Sequence, residues 1–569
     1  MCGIAGVVRG DARALEGMLD RMAHRGPDGR GASNGGVARL GCVRLAIRGG
    51  EAGAQPLRTR RGLLVFNGEI YNAGELVKEL RWHGIDVDGS SDTAVVGALT
   101  DVYGIRAVDR LNGMYALAYD DGETVWLARD PAGVKPLYWR GDRFASEIGP
   151  LLEDASIDPA AMARWLTFHW TAGDQTLFSG VRRVPPGGIV ALPGGRVVRG
   201  DDPGLRFGAG PNPALDAARL RKVLERAVGD AVPEGRFGVC LSGGVDSTVV
   251  AALARGDAVA YHGRVAEEGC DESPFARAAA EHLGLPLVEV DVTAGACLDA
   301  WPKVLAALEE PAAGPGSLGQ WLVARRAAAD VRVLLSGCGG DELFGGYARA
   351  AALDRDVPPP GLEAYAPLFA RVRDLAPADR AFALLDRRDP ALFRRSFLEA
   401  HPPPLADFAD RFAAGNLDPA TAAARAERDI VLPALLHVED RVTMAFGVEG
   451  RVPLLDRRLL RSAVRMPAHG RVDADGRLKA LFRDAAAPHL PPAVRDRRDK
   501  MGFPLPVGDW LRGPWRAFAG DLLADRRTRE RGMLDTEACA AAIDSAGRYD
   551  RGLFAALSLE LWCRAFLDG

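Results

Sequence analysis

The chain has 569 residues, with 72 Lys and Arg against 76 Asp and Glu, and a formal net charge of −4. This balance gives no electrostatic basis for binding nucleic acid or an anionic membrane surface. No apolar run approaches the ~20 residues of a membrane span, and no basic-then-apolar leader opens the sequence, so we expect a soluble, cytoplasmic protein. The eight cysteines are scattered, which argues against a disulfide framework or a zinc site. The length predicts two or more domains.

The sequence opens with a small apolar run, Met1-Cys2-Gly3-Ile4-Ala5-Gly6, that predicts a first strand. A free cysteine packs readily as a small hydrophobe, so a buried strand residue is one interpretation of Cys2. The other interpretation requires removal of Met1, which leaves Cys2 with a free α-amine beside its thiol. An α-amine has a pKa near about 8 and can act as the base for its own nucleophile. Cys2 is therefore a candidate catalytic nucleophile.

Two polar groups follow in the first half, each at the end of a regular element. An apolar strand runs into Asn67-Gly68-Glu69, and Ser91-Asp92-Thr93 starts a predicted helix. An Asn-Gly pair usually forms a hairpin turn, and the second group is first an N-cap cluster. Beside a nucleophile, Asn67 and Gly68 could instead supply the donors of an oxyanion hole. Many short strands with turns predict stacked antiparallel sheets here.

Together with Arg44, these segments resemble the class II glutamine amidotransferase domain over residues 1–205. That domain is an N-terminal-nucleophile hydrolase with an αββα sandwich. The resemblance implies that Cys2 attacks the side-chain amide of glutamine and that Asn67 and Gly68 form the oxyanion hole. It further implies that the zwitterionic glutamine is bound by charged and polar side chains, namely Arg44, Asn67, Glu69 and Asp92.

A Gly/Pro-rich stretch from Arg199 to Pro213 predicts a linker, and we place the domain boundary after residue 205. In the second domain, residues 206–569, strand and helix patterns alternate as in a parallel sheet with helical crossovers. A strand over Phe237–Leu241 ends in the turn Ser242-Gly243-Gly244-Val245-Asp246-Ser247, and a helix follows over Ser247–Ala254.

This turn has the features of an anion site, although a plain strand-to-helix turn is the alternative. The two glycines permit a tight backbone, and the helix start offers free N–H groups and a positive dipole end. Hydroxyls of Ser242 and Ser247 and a cation held by Asp246 would complete a phosphate site. The turn lacks the Gly-Lys-Ser/Thr ending of the Walker pattern, and it resembles the PP-loop of ATP pyrophosphatases.

A second buried strand, Val331–Leu335, leads into the glycine turn Ser336-Gly337-Cys338-Gly339-Gly340-Asp341. Loops at the carboxyl ends of parallel strands can face one site, although this turn too could be purely structural. Asp341 would then join Asp246 in holding Mg²⁺ on the phosphates.

Lys479 is a flexible point charge suited to a leaving pyrophosphate. Residues 348–430 predict surface helices without an assigned role.

The second half resembles the synthetase domain of the glutamine-hydrolysing asparagine synthetases, and the resemblance extends over nearly the whole chain. It implies an αββα sandwich followed by a PP-loop parallel-sheet α/β domain with extra C-terminal helices. It also implies that a carboxylate attacks ATP to give an acyl-adenylate, which ammonia from an internal tunnel converts to amide and AMP. Lys479 would be catalytic, and the residues implied to bind ATP are Leu241, Ser242, Gly243, Gly244, Asp246, Ser247, Ser336 and Gly337. The implied small molecules are glutamine, ATP, Mg²⁺ and a carboxylic acid, with aspartate as the default and a homodimer as one oligomeric state.

Two departures from the family concern the acceptor acid. Family members that make asparagine usually carry an acid, most often Glu, where this chain has Cys338. A thiol is a poor proton acceptor or amine ligand near neutral pH. The well-characterised enzymes also have Arg and Thr residues where this chain reads Gly314-Pro315-Gly316-Ser317. Amidation of another carboxylic acid is therefore the alternative to aspartate.

Three other functions agree less well with these residues. Relatives such as β-lactam synthetase, which close their own substrate with an internal amine, tend to have lost the nucleophilic cysteine that this chain keeps. A nucleotide sensor with an inactive synthetase site conflicts with the retained Asp341 and Lys479. A stand-alone glutaminase would hydrolyse glutamine regardless of ATP and of the acceptor.

Overall fold

The computed structural model describes residues 2–153, 155–207, 210, 212, 214–311, 314–353, 355–415, 417–497 and 502–568. Up to residue 199, the described residues form two antiparallel six-stranded sheets. In chain order their strands are β1 (Cys2–Val8), β2 (Gly29–Asn34), β3 (Ala38–Arg44), β4 (Leu57–Arg58), β5 (Leu63–Ile70), β6 (Gly113–Asp120), β7 (Val125–Arg129), β8 (Tyr138–Arg140), β9 (Arg143–Ala145), β10 (Arg182–Arg183), β11 (Ile189–Leu192) and β12 (Arg196–Arg199). The α-helices of this part are α1 (Ala12–Arg21), α2 (Ala73–Trp82), α3 (Asp92–Tyr103) and α4 (Pro159–Phe168).

The two sheets have the orders β10-β8-β9-β1-β3-β2 and β12-β11-β7-β6-β5-β4. Alternate residues of β1 and β5, such as Ile4 and Val65, meet in a buried core between the sheets. The opposite faces are covered by helices, with α1 and α4 packed on the first sheet and α2 and α3 on the second. The predicted αββα sandwich is confirmed.

The Asn67-Gly68 pair does not form a hairpin turn. Strand β5 continues through it, and Asn67 pairs with Ala116 while Gly68 pairs with Tyr115. A Cβ at position 68 would lie 2.2 Å from the backbone oxygen of Met114, so the glycine is required by close strand packing. The N-cap prediction is confirmed, because the Ser91 side chain accepts a hydrogen bond at the start of α3.

The described residues after 213 form a five-stranded parallel sheet in the order β15-β14-β13-β16-β17. Its strands are β13 (Arg236–Cys240), β14 (Asp257–Arg264), β15 (Leu287–Asp291), β16 (Val333–Leu335) and β17 (Glu449–Arg451). The helices up to β16 are α5 (Ala217–Ala231), α6 (Val245–Leu253), α7 (Ser273–Leu283), α8 (Ala294–Leu308) and α9 (Gly316–Ala327). The predicted α/β architecture is confirmed.

Between β16 and β17 lie α10 (Gly340–Phe344), α11 (Ala348–Ala352), α12 (Ala366–Val372), α13 (Pro377–Leu385), α14 (Arg395–Ala400), α15 (Leu405–Ala413), α16 (Pro419–Ala426) and α17 (Leu432–Met444). A π-helical turn, Glu427–Val431, joins α16 to α17. The extra C-terminal helices are α18 (Arg457–Val464), α19 (Ala468–Arg471), α20 (Ala480–Ala486), α21 (Pro492–Arg495), α22 (Val507–Arg512), α23 (Arg516–Ala524), α24 (Arg526–Arg531), α25 (Thr536–Ser545) and α26 (Arg551–Phe566).

The predicted boundary after residue 205 lies between β12 and α5, and positions 208, 209, 211 and 213 of the predicted linker are outside the described residues. The prediction of surface helices over 348–430 is incomplete. Arg349, Leu385, Arg387 and Ile430 of this segment line the central cavity of the parallel-sheet half. In the part of the chain that the structure describes, no helix has the length and apolar character needed to cross a membrane.

Candidate active site

The first candidate site surrounds Cys2 at the start of β1. The Cys2 backbone N–H donates to Oδ1 of Asn67 at 2.9 Å, which fixes the Asn67 amide beside the thiol. Asn67 is fully buried, and its Nδ2 has no hydrogen-bond partner among the described residues. A buried amide donor without a partner is unusual, and it is what a developing oxyanion requires.

The Cys2 thiol lies in surroundings that favour its ionised form. A hydrogen bond with the Cys42 thiol, opposed by burial and assisted by nearby positive charge, lowers the pKa of Cys2 to about 6. Gln55 places its Nε2 3.7 Å from Cys2 Sγ and is itself held by the backbone of Phe66. Sequence reasoning missed Cys42, although the pairing of Ile4 with Cys42 places it on the Cys2 face of the sheet.

Charged side chains of both signs line the rest of this pocket, which has a volume of about 40 Å³. Arg44 pairs with Cys2 across the strands and donates to the Arg48 backbone oxygen at 3.0 Å. Arg48 in turn lies 3.3 Å from both Glu69 and Asp92. Burial raises the pKa of Glu69 to about 7, with an arginine opposing the shift. The predicted glutamine-binding residues therefore come together, and Arg48, four positions after Arg44, is an addition.

The second candidate site begins at the turn after β13. Gly243 adopts a φ of +69°, which a side chain would disfavour, and Gly244 caps α6. The Ser247 hydroxyl accepts from the Ser242 N–H at 3.1 Å and lies 3.0 Å from the Ser242 hydroxyl, so both hydroxyls hold the turn closed. Oδ1 of the buried Asp246 has no hydrogen-bond partner among the described residues.

The turn after β16 lies directly against the first one. A Cβ on Gly337 would be 2.7 Å from the backbone of Asp246 and Ser247, so the absence of a side chain lets the loops touch. The loops open into one cavity, which is lined by the predicted nucleotide-binding residues Leu241, Ser242, Asp246, Ser247, Ser336 and Gly337. The expectation that both loops face one site is confirmed.

Lys479 links the two loops through its ammonium group. It is 5% exposed, adopts a φ of +54° at the start of α20, and forms ion pairs with Asp246 and Asp341. Burial lowers the pKa of Lys479, but the two carboxylates outweigh that effect and the net shift is upward. Oδ1 of Asp246, which has no described hydrogen-bond partner, and the nearby carboxylate of Asp341 are oxygen donors of the kind that would hold a hard cation such as Mg²⁺. No group of three or more His, Cys, Asp or Glu able to hold a metal exists among the described residues.

The shared cavity has a volume of about 570 Å³ and extends well beyond the two loops. Its wall includes Arg387 and Arg551, and neither guanidinium has an ion pair or hydrogen bond within the described part of the chain. Arg349, also in the wall, is held by Glu427. Trp170, contributed by the N-terminal half, lines the same cavity and has a buried Nε1 without a described partner. This end of the cavity is basic and can receive an anion.

Both departures from the expected family pattern also lie on this cavity. Cys338 and the Gly314–Ser317 segment line it. Burial and neighbouring carboxylates raise the pKa of Cys338 well above that of a free thiol, so the group is neutral and non-nucleophilic near pH 7. Cys338 therefore supplies neither negative charge nor a base at this position.

Buried ion pairs connect the two candidate sites. Arg451 on β17 lies 3.2 Å from Glu69 of the Cys2 pocket and 2.6 Å from Glu449 on its own strand. The Arg451 backbone oxygen accepts from the Ser336 N–H at 2.9 Å, so the same residue touches the second glycine loop. Sequence reasoning missed Arg451, because the contact joins segments that are far apart in the chain.

Comparison with known proteins agrees with this two-site arrangement. The asparagine synthase family model matches residues 219–564, and the glutamine amidotransferase domain model matches residues 1–199. The chain belongs to the asparagine synthetase family. Asparagine synthetase [glutamine-hydrolyzing] 1 of Bacillus subtilis is 29% identical to this family member, with 93% of this chain and 90% of the relative covered. A protein of Mycobacterium tuberculosis, also named for glutamine-hydrolysing asparagine synthetase, is 31% identical, with 100% and 96% covered.

Among solved structures, the glutamine phosphoribosylpyrophosphate amidotransferase of B. subtilis aligns with 59% of this enzyme and 82% of its own chain. The sequence identity of that alignment is 16% and its TM-score is 0.28.

Proposed function

We propose that the enzyme transfers the amide nitrogen of glutamine to aspartate, consuming ATP and releasing AMP and pyrophosphate. One structural feature supports this above others: a cysteine pocket and a pyrophosphate-type loop with Lys479 lie in one chain and are bridged by Arg451. Relatives that align over nearly their full length carry the name of glutamine-hydrolysing asparagine synthetases. We also propose that residues 1–205 form the glutaminase and residues 206–569 the synthetase.

In the glutaminase, the Cys2 thiolate would attack the side-chain carbonyl of glutamine and form a C–S bond, and the C–N bond would break as the nitrogen takes up a proton and leaves as ammonia. Water would then hydrolyse the thioester, releasing glutamate and restoring the Cys2 thiol. Nδ2 of Asn67 and the N–H of Gly68 would donate to the oxyanion. Arg44 would hold the substrate carboxylate, while Glu69 and Asp92 would hold its amine. Base catalysis by the α-amine of Cys2 requires loss of Met1, which lies outside the described residues.

In the synthetase, a carboxylate oxygen of the acceptor would attack the α-phosphorus of ATP, and pyrophosphate would leave. The Ser242–Ser247 turn would hold the phosphates through its N–H groups and hydroxyls. Lys479 would stabilise the charge that develops on the leaving pyrophosphate. Asp246 and Asp341 would hold Mg²⁺, which supplies charge neutralisation on the phosphates when bound.

The basic wall of the cavity supplies the remaining contact that aspartate requires. Aspartate keeps a second carboxylate after its side-chain carboxylate reacts, and that group needs a cationic partner. Arg387 and Arg551 line the cavity and have no carboxylate partner in the described part of the chain. They would bind this second carboxylate, since guanidinium groups pair well with carboxylates.

The direct test is pyrophosphate release with ATP, Mg²⁺ and glutamine, with and without aspartate, and identification of the product by mass. We expect release that depends on aspartate, with one asparagine formed per pyrophosphate. Glutamine hydrolysis without any aspartate-dependent pyrophosphate would contradict the proposal. Activity on a different acid would then identify the acceptor.

A further inference from the structure

A carboxyl group with no role in the steps above lines the cavity beside the second glycine loop. It belongs to Glu439 on α17, which is half-buried and faces the shared cavity. Ser336, the first residue after β16, lines the same cavity, and its hydroxyl favours the ionised form of the Glu439 carboxyl and so acts to lower its pKa. On its other side, the Glu439 carboxyl lies over Gly450 of β17. A Cβ at position 450 would be only 3.6 Å from Glu439 Oε1.

Glu439 lies close to three neighbouring strands of the parallel sheet, β13, β16 and β17. Cys338 in the loop after β16 and Cys240 at the end of β13 line the cavity together with Glu439, and the Glu439 carboxylate helps to raise the pKa of both thiols. These neighbours and the contact over β17 place the Glu439 side chain at the C-terminal edge of the parallel sheet. Ligands of open α/β sheets bind at such points.

The other carboxyls that line the cavity, among the described residues, are committed to partners. Asp246 and Asp341 pair with Lys479, Glu272 pairs with Arg497, and Glu342 accepts from the Tyr347 hydroxyl. The Glu439 side chain instead has no ion pair among the described residues, and the charged groups that influence its pKa are Lys135, which lowers it, and Asp440, which raises it. Among the described carboxyl groups that line the cavity, Glu439 is therefore the best placed to exchange a proton with a bound substrate.

We propose that Glu439 is the acid–base group of the amidation step, carrying the carboxyl that position 338 lacks. This inference rests on the proposed function. Ammonia attacks the acyl-adenylate carbonyl, the nitrogen lone pair forms the C–N bond, and one N–H proton moves to the Glu439 carboxylate. The bond from the carbonyl carbon to the phosphate oxygen then breaks, and its electron pair leaves with AMP. Burial raises the pKa of Glu439, which strengthens its carboxylate as a base.

The decisive variant is Glu439→Gln, which keeps the shape and removes the base. Two reactions are compared: aspartate-dependent exchange of labelled pyrophosphate into ATP, and asparagine formation from ammonium. We expect exchange close to that of the unaltered enzyme and amide formation lower by about 10²-fold or more. Equal loss of both reactions, or loss of neither, would overturn the proposal.

Two further variants separate chemistry from folding. Cys338→Glu combined with Glu439→Gln returns a carboxyl to the same cavity and should recover much of the lost amidation; no recovery would count against the proposal. Asp429→Asn, an exposed carboxyl shortly before α17 that pairs with Arg428, is the matched control and should leave both reactions unchanged. Glutamine hydrolysis at Cys2 reports whether each variant is folded.

The same assays distinguish this inference from the proposed function. If the unaltered enzyme shows no aspartate-dependent exchange, the proposed acceptor is wrong. If that exchange is present and Glu439→Gln forms asparagine at the normal rate, only the role of Glu439 is wrong.

Discussion

The two pockets of this enzyme are built in opposite ways. The Cys2 pocket has a volume of about 40 Å³, and its side chains are held by strand pairing and short hydrogen bonds. The synthetase cavity has about 570 Å³, and its wall comes from two loops, the helices α13 and α17, and the N-terminal half. The small pocket suits one zwitterionic substrate, whereas the large cavity must receive a nucleotide and an acid together.

This difference in construction affects which residues of each pocket can be replaced without loss of function. In the proposed mechanism, the nucleophile, the oxyanion donors and the ligands of a small zwitterion are crowded into the Cys2 pocket, so we expect few of its polar groups to change without loss of the chemistry. In the proposed mechanism, the cavity binds phosphate near the ion pair of Asp246 and Lys479, and the acceptor acid near Cys338 and Arg387 in the same wide cavity. We therefore expect specificity for the acceptor to be decided near Cys338 and Arg387, and the following substitutions test that division.

The largest effect is expected from Cys2→Ala. Glutamine hydrolysis should fall by about 10³-fold or more, since the covalent route is removed. Asparagine formation with ammonium should remain, because the synthetase cavity is untouched. Measuring both nitrogen sources in one assay checks this, and loss of the ammonium reaction would show that the pockets are not separable in this way.

Lys479→Met should lower aspartate-dependent pyrophosphate release by about 10²- to 10³-fold, since a preorganised charge at the leaving group is lost. Glutamine hydrolysis should continue. Lys303→Met, which removes an exposed lysine on α8, is the control and should behave like the unaltered enzyme. Parallel loss of glutamine hydrolysis would indicate unfolding caused by the loss of a buried charge partner of Asp246 rather than lost catalysis.

Arg387→Gln should raise KM for aspartate by about tenfold, or ~1.4 kcal/mol, which is close to the lower end of the ~1.5–3 kcal/mol of one hydrogen bond to a charged group. KM for ATP should change little, because the phosphate end lies elsewhere. Arg388→Gln is the matched control, since Arg388 pairs with Asp386 at 2.6 Å and does not line the cavity. Equal effects of both variants would remove Arg387 from acceptor binding.

The smallest effect is expected from Cys42→Ala, measured as the pH profile of glutamine hydrolysis. The thiolate is the active form, so kcat/KM should rise with pH and level off above the Cys2 pKa of about 6. Removing the Cys42 hydrogen bond raises that pKa, so the inflection should move to higher pH and the rate near pH 7 should fall a few-fold. Cys539→Ala, at another buried cysteine, should leave the inflection in place.

Sequence reasoning predicted the fold class, the strand before the Ser242–Ser247 turn and the helix after it. Those features depend on local patterns: apolar runs, glycine pairs and caps. It also named Cys2, Asn67 and Lys479, which the structure brings to two sites. It left Asn67-Gly68 open between a hairpin turn and an oxyanion hole, and it did not foresee that β5 continues through the pair, because a turn and a crowded strand position both favour glycine.

The sequence by itself determined the candidate reacting groups of this enzyme, since each lies in a short motif whose geometry is local. Only the tertiary structure decided which distant groups complete the sites. Arg451 reaches Glu69, and Glu439 lines the same cavity as Ser336. Both arrangements depend on tertiary packing: β17 pairs with β16 at the edge of the parallel sheet and meets the N-terminal half through Arg451, while α17 lines the cavity beside the loop after β16. Contacts of that kind depend on how whole elements pack, which no short window of sequence encodes.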